Sequence, residues 1–316
     1  MARMTQTPPP PPTPDRLDPK AAALAAFSGY FIWGLSPIFY KVLAFANPIE
    51  IVLQRVVWSA PILLAILYFS RRLGPALAVL NDRKTLLLLV CTSLLIGANW
   101  WVYIFSVNTG HVLEASLGYY INPLMNVAVG VFVAHERFSR LRAVAIGLAV
   151  LGVLNQIITV GTLPVFALIM AGTFTAYGYV RKTVQVDARV GLFWETLIMA
   201  IPSIVVLTLF EIQGGEHAGH FFNGPKEAFL LFLTGPMTVL PLLLFLTGAR
   251  GLSFAIIGVL QFVAPTLQFI VGLAYGEPFS LAYLATFILI WSGLAVFVVE
   301  LLHFERQQKR AGKLPA

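Results

Sequence analysis

Charge is scarce in this sequence: Asp, Glu, Lys and Arg together make up 11% of its 316 residues, against about 25% in soluble domains. A soluble protein of this length needs a charged surface to stay dispersed, so a fold fully exposed to water is excluded. Cysteine is scarcer still. Cys91, the single cysteine, lies inside an apolar run, which excludes an intramolecular disulfide and a thiolate metal cluster and leaves it a packing role. No phosphate-cradling Gly-rich loop ending in Lys-Ser or Lys-Thr occurs, so ATP does not drive the chain. The clustered nucleophile or metal-ligand set of a membrane-embedded enzyme is missing as well. Its nearest approach is Glu216, His217 and His220, a His-x-x-His in a Gly-rich segment and a poor metal signal. Neither a cofactor nor a metal is expected.

What is abundant is apolar side chain, 58% of the residues against roughly 45–50% in soluble domains. It falls in windows of about 18–25 residues, long enough to cross about 30 Å of hydrocarbon. Ten such windows are read, giving an all-α membrane protein of ten transmembrane helices: Ala21 to Ala44, Ile49 to Phe69, Leu86 to Val107, Val112 to Val133, Ala143 to Thr159, Leu163 to Val180, Val190 to Phe210, Ala228 to Thr247, Ser253 to Tyr275 and Leu281 to Leu302. The fifth and sixth are short and separated only by a Gly161-Thr162 turn. Residues 1–19 hold the unbroken Pro8 to Pro12 run and read as a disordered, extended tail. The following apolar segment exceeds a signal-peptide core and lacks a small-residue cleavage site, so the first helix is expected to be retained.

The net charge of +7 reports topology. Its basic residues are not interleaved with aromatics on one face, which argues against nucleic acid. They cluster between apolar runs: Arg3, Arg16 and Lys20 in the first tail; Arg71, Arg72, Arg83 and Lys84; Arg137, Arg140 and Arg142; Arg181, Lys182 and Arg189; Arg250; and Arg306, Lys309, Arg310 and Lys313 in the last tail. Basic loops stay cytoplasmic. Both termini are therefore expected on the cytoplasmic side.

The sequence also repeats itself. Pro123, Gly130, Glu136, Phe138, Ser139 and Gly152 recur as Pro265, Gly272, Glu277, Phe279, Ser280 and Gly293 at an almost constant spacing. With five helices per repeat, corresponding helices cross in opposite directions, so the halves are inverted. The charges agree: Arg137, Arg140 and Arg142 follow Glu136, whereas no basic residue follows Glu277 before the next span. The expected organisation is a proline-rich cytoplasmic tail at 1–19, a first five-helix repeat at 20–160, an inverted second at 161–303, and a basic cytoplasmic tail at 304–316.

Several strings, in order along nearly the whole chain after the proline tail, resemble the drug/metabolite transporter superfamily, in particular its EamA type and the RarD-like proteins. They are Tyr30-Phe31-Ile32-Trp33-Gly34, Gly97-Ala98-Asn99-Trp100, Leu113-Glu114-Ala115-Ser116-Leu117-Gly118-Tyr119 with Asn122-Pro123, Tyr177-Gly178 with Val180-Arg181-Lys182, Trp194-Glu195-Thr196-Leu197, and Gly276-Glu277. The resemblance implies a secondary carrier of the bacterial inner membrane, with a central cavity between its halves, that exports or exchanges small metabolites or drug-like solutes without ATP. It says little about which solute. A passive channel or facilitator is the alternative, and an embedded enzyme a more distant one. The partners expected are the solute and the bilayer, with the oligomeric state open and a monomer allowed.

An ionisable group at the centre of a membrane helix costs roughly 2.5–3.5 kcal/mol on insertion scales, so each needs a reason. Lys41 lies near the outer end of the first helix, Arg55 about two turns into the second, Glu114 at the start of the fourth, and Glu195 about two turns into the seventh. One reading has Lys41 and Arg55 attracting an anionic or zwitterionic group, with Glu114 as counter-charge or proton carrier; the other has a structural ion pair plus snorkelling, the latter above all for Lys41. Arg55 and Glu195 hold nearly equivalent places in the two repeats, but inversion separates them by about 12 Å of depth in a 30 Å core, too far for a salt bridge. Arg189 is the alternative partner for Glu195. Trp33, Trp100, Tyr119 and Tyr177 lie beside small or polar residues and are candidate walls for a solute cavity, although packing against lipid serves equally well for each. The amides of Asn99, Asn122 and Gln261 are either solute ligands or interhelical hydrogen bonds.

Overall fold

The protein is described by a computed structural model, which covers residues 18–133, 139–213, 219–249 and 251–310. Glu136, Glu216, His217 and nearly all of the proline-rich tail lie outside the described residues. Within them the chain is helical and holds no strand. The long helices are α1 (Pro19–Val42), α2 (Pro48–Phe69), α4 (Arg83–Asn108), α5 (Val112–Phe132), α6 (Arg140–Asn155), α7 (Val165–Thr183), α8 (Ala188–Gln213), α9 (Pro225–Ala249) and α12 (Leu281–Arg310); α3 (Leu73–Ala78), α10 (Phe254–Leu260) and α11 (Val263–Ala274) are shorter.

Local chemistry sets several boundaries. Pro48 opens α2, where its missing N–H costs nothing, and the preceding Asn47 accepts from Ile49 N at 2.8 Å. Asp82 accepts from Lys84 N and Thr85 N at 3.0 and 3.1 Å to start α4. Ser139 Oγ accepts from Arg142 N at 3.1 Å to start α6. At its far end α6 widens into a π turn over Gln156–Val160 and stops at Gly161, whose φ of 78° a side chain would strain.

Eight stretches are long and apolar enough to cross a membrane among the described residues: α1, α2, α4, α6 with its π turn, α8, α9, the α10–α11 stretch and α12. They match eight of the ten windows read from the sequence. α5 and α7 are less apolar because they carry Glu114, Tyr119, Asn122 and Asn126, and Thr173, Thr175, Tyr177 and Arg181. Large apolar side chains stand exposed on six separate helices, at Leu24, Phe69, Leu94, Ile201, Leu240 and Ile288; lipid is the solvent that suits them.

Two details differ from the sequence reading. The ninth window is not one helix but α10 and α11, broken at Gln261 and Phe262. Pro265 explains the break: it has no N–H for the Gln261 carbonyl four residues earlier. The second connection is not a plain loop, since it contains α3, whose Ala76 carbonyl accepts from Trp194 Nε1 on α8 at 2.9 Å.

Packing is mostly between distant parts of the chain. α1 lies along α9 and α11, α2 along α8 and α9, α4 along α7 and α8, α5 along α7 and α11, and α6 along α12. The α1–α9 approach is the tightest kind: a Cβ at Gly29 would stand 2.6 Å from the Pro241 carbonyl oxygen. Small residues permit such close backbone contact, which is how helices bind one another in lipid.

Candidate functional site

Arg55 is the centre of the candidate site. It sits on the inner face of α2 with 7% of its surface exposed. Its Nη1 donates to the Tyr40 hydroxyl on α1 at 3.1 Å, and its guanidinium carbon stands 4.1 Å from the ring centroid of Trp100 on α4. Nε makes no hydrogen bond. A cation over an indole face gains about 2 kcal/mol when desolvated, so the ring partly offsets the cost of burial. It does not neutralise the charge.

The cluster continues from Tyr40. The Tyr40 and Tyr103 rings meet edge to face at 5.9 Å, and Tyr103 meets Tyr119 of α5 at 5.7 Å. The Tyr103 hydroxyl shares a 2.7 Å hydrogen bond with Ser36 Oγ and accepts from Gln268 Nε2 of α11 at 3.3 Å. Gln268 Nε2 also donates to the Trp33 carbonyl at 3.3 Å, while its Oε1 is buried without a partner. Five helices thus converge on one polar, aromatic region, and two of its buried polar atoms are unsatisfied. Such atoms are rare in folded proteins and call for a reason.

Of the residues expected from sequence, the structure brings together Arg55, Trp100, Tyr119 and the Trp33 carbonyl. The others lie apart. Asn99 Nδ2 donates to the Met170 carbonyl at 2.9 Å and to Thr173 Oγ1 at 3.1 Å, and Asn122 Nδ2 donates to Thr175 Oγ1 at 3.3 Å; both tie neighbouring helices to α7. Gln261 donates to the Gly258 carbonyl at 3.0 Å, at the helix break. Lys41 Nζ stands 4.6 Å from the Tyr275 ring centroid near the end of α1.

Glu195 and Glu114, the acids read from the sequence, are engaged elsewhere. Glu195, 1% exposed, takes Thr92 Oγ1 at 2.8 Å and the Tyr177 hydroxyl at 3.1 Å, and pairs with Arg181 Nε at 3.5 Å. Its partner is therefore Arg181 and not Arg189, because Arg181 closes the end of α7 that packs beside Tyr177. Arg55 and Glu195 do not meet: Arg55 is held by Tyr40 and Trp100, Glu195 by Arg181. Glu114 is not the counter-charge of Arg55: its Oε1 accepts from Phe166 N at 2.8 Å, at the start of α7.

Two acids that sequence reading did not place in this role do the same. Glu277 accepts from Val112 N and Leu113 N, both at 2.7 Å, and so caps α5. Neither α5 nor α7 has a side-chain cap of its own, and free N–H groups at a helix start need an acceptor. Burial raises the Glu277 carboxyl above the ordinary glutamate value, against the lowering effect of those two N–H groups and of Lys41. Glu50, fully buried, accepts from His220 N and shares a hydrogen bond with His220 Nδ1, each at 2.7 Å. His220 is thus tied to a carboxylate that the His-x-x-His pattern did not include. Tyr40 and Tyr103 were also missed as part of the Arg55 cluster, and Gln268 as the partner of Tyr103; their only signal was that each is a polar group inside an apolar window.

Residues 20–156 match the model of the EamA-like transporter family. An uncharacterised transporter of Vibrio cholerae is 39% identical over 95% of this chain and 99% of its own length. The protein RarD of Escherichia coli is 34% identical over 94% of this chain and 100% of its own. A solved structure at 18% identity superposes with a TM-score of 0.53, covering 88% of this chain and 97% of the other, and supports the fold alone.

Proposed function

The chain belongs to the EamA-like transporter family, as a RarD-like membrane transporter, and from that premise we propose that it is a secondary carrier. It moves a small metabolite or drug-like solute across the bacterial inner membrane by alternating access, in export or exchange. The observation that carries this reading is the Arg55 cluster. A buried cation with unsatisfied hydrogen-bonding capacity, enclosed by aromatic rings from several helices, is what a solute site near the midplane needs.

The proposed frame is ten spans in two inverted halves, residues 20–160 and 161–303, with α10 and α11 forming one span and both tails in the cytoplasm. Support comes from pairings that exchange under the repeat. α1 lies on α9 as α7 lies on α4; α5 lies on α7 as α11 lies on α1; α2 lies on α9 as α8 lies on α4. Reporter fusions after Phe69, Thr159 and Leu302 are expected to read cytoplasm, periplasm and cytoplasm. A periplasmic reading after Leu302 would overturn the ten-span frame.

Carrier action is tested by first profiling metabolites in cells lacking and overproducing the protein, then measuring counterflow of the compound so found in proteoliposomes. Saturable counterflow is the expected result. Rates far above carrier turnover without counterflow would indicate a channel, and chemical change of the solute an enzyme; either result defeats the proposal.

A further inference from the structure

We propose that the Arg55 cluster binds the carboxylate of a singly charged organic anion and that its aromatic walls hold an apolar, planar body. The inference deepens the carrier reading and rests on it for the claim that the bound anion is the cargo.

Charge bookkeeping at the site is the first ground. Arg55 forms no ion pair among the described residues. Four acids of the helix bundle are occupied elsewhere: Glu50 by His220, Glu114 by Phe166 N, Glu195 by Arg181, Thr92 and Tyr177, and Glu277 by Val112 N and Leu113 N. The guanidinium is left with one neutral hydroxyl and one ring face, and its Nε points into the interior unpartnered. Arg is a planar donor fork that fits a carboxylate and never deprotonates in proteins, so the charge cannot be relieved by proton loss.

The chain supplies an internal control. In the proposed repeat, Arg55 on α2 corresponds to Glu195 on α8, and Tyr40 on α1 falls opposite Arg181 on α7. In the second half, the buried charge faces a charge of opposite sign at 3.5 Å. In the first half, the corresponding place holds a tyrosine, whose hydroxyl is 3.1 Å away. The same architecture therefore builds a closed ion pair at one end and leaves a cation open at the other.

The ligand class follows from the neighbours. One uncompensated cation matches one negative charge; Lys41, the other basic candidate read from the sequence in this half, is over Tyr275 and near Glu277 and does not join Arg55. A doubly charged phosphate monoester would bring a surplus charge into a buried region, at a large desolvation cost. Trp100, whose ring face lies against the guanidinium, and Tyr40, Tyr103 and Tyr119, which meet in turn edge to face, surround Arg55 with aromatic surface of the kind that suits a flat apolar body. The unpartnered Gln268 Oε1 adds one acceptor one tyrosine away from Arg55.

The test uses the full chain in lipid nanodiscs and three probes of one shape: benzoate, benzamide and benzylamine. Binding of radiolabelled benzoate is measured directly, with the other two as competitors. Benzoate is expected to bind, with benzamide and benzylamine at least tenfold weaker. Arg55→Gln is expected to weaken benzoate at least tenfold and Arg55→Lys, which keeps the charge, to retain part of the binding. Absence of benzoate binding to the folded parent, competition by the amide or amine as effective as by benzoate itself, or unchanged binding in Arg55→Gln would each overturn the assignment. If Arg55→Gln does not fold, the competition series on the parent decides. Counterflow separates the two claims. Benzoate that binds but is not moved, in a protein that shows no counterflow of any solute, defeats the carrier reading and leaves the anion site. Counterflow of benzylamine but not benzoate defeats the anion site and leaves the carrier.

Discussion

Glu195→Ala is expected to destabilise the folded protein by about 3–5 kcal/mol, the range for removing one partner of a buried ion pair. Glu195 is 1% exposed and its partner Arg181 17%, so the substitution strands a largely buried guanidinium. It also leaves the Thr92 and Tyr177 hydroxyls without the carboxylate that accepts from them. The loss is read as a lowered thermal midpoint in detergent and a reduced folded yield from the membrane. Glu195→Gln keeps an acceptor oxygen at the same place and is expected to lose less. A midpoint for Glu195→Ala equal to that of the parent would mean that this pair holds nothing together.

Arg55→Gln is expected to behave in the opposite way, abolishing flux while costing no more than about 2.5 kcal/mol of stability. The cost of burying the charge, roughly 2.5–3.5 kcal/mol on insertion scales, is set against a cation–π contact of about 2 kcal/mol and one charged hydrogen bond of about 1.5–3 kcal/mol. The contacts exceed the cost by about 0–2.5 kcal/mol, short of the loss expected for Glu195→Ala. No carboxylate is stranded when Arg55 is removed, because none is paired with it. The two substitutions, at nearly equivalent places in the proposed repeat, thus separate a charge that serves the fold from one that serves the solute. A large stability loss in Arg55→Gln would move Arg55 to the structural side.

Much of the fold was legible because membrane helices are written in continuous apolar runs and their starts in local polar residues. Asn47, Asp82 and Ser139 each cap the helix that follows, and each can be read from its own few neighbours. The remote caps cannot. Glu114 serves α7 and Glu277 serves α5, across sequence separations that only the packed bundle closes. The break at Gln261 is a backbone effect of Pro265 that an apolar window smooths over, and α3 is too short to give a periodic signal.

The site was legible in part for the same reason. Arg55 announces itself because a guanidinium inside an apolar run has to be explained. Its surroundings do not, since Tyr40 reaches it from α1 and Tyr103 and Gln268 join through Tyr40 from two further helices. The contact depends on how those helices are turned about their axes. Asn99 and Asn122 gave the same sequence signal as Gln268, yet they bond to α7, as amides that hold helices together. Glu195 was visible as a buried charge, but its partner Arg181 lies at a helix end where basic residues are common for topological reasons.

The most direct test of Arg55 as the residue that handles the solute is extracellular metabolite profiling in cells lacking the protein, cells producing it and cells producing Arg55→Gln, at matched amounts of protein in the membrane. The parent is expected to change the level of at least one small metabolite relative to cells without it, and Arg55→Gln to return that level to the value found without the protein. A profile for Arg55→Gln identical to that of the parent would contradict the account.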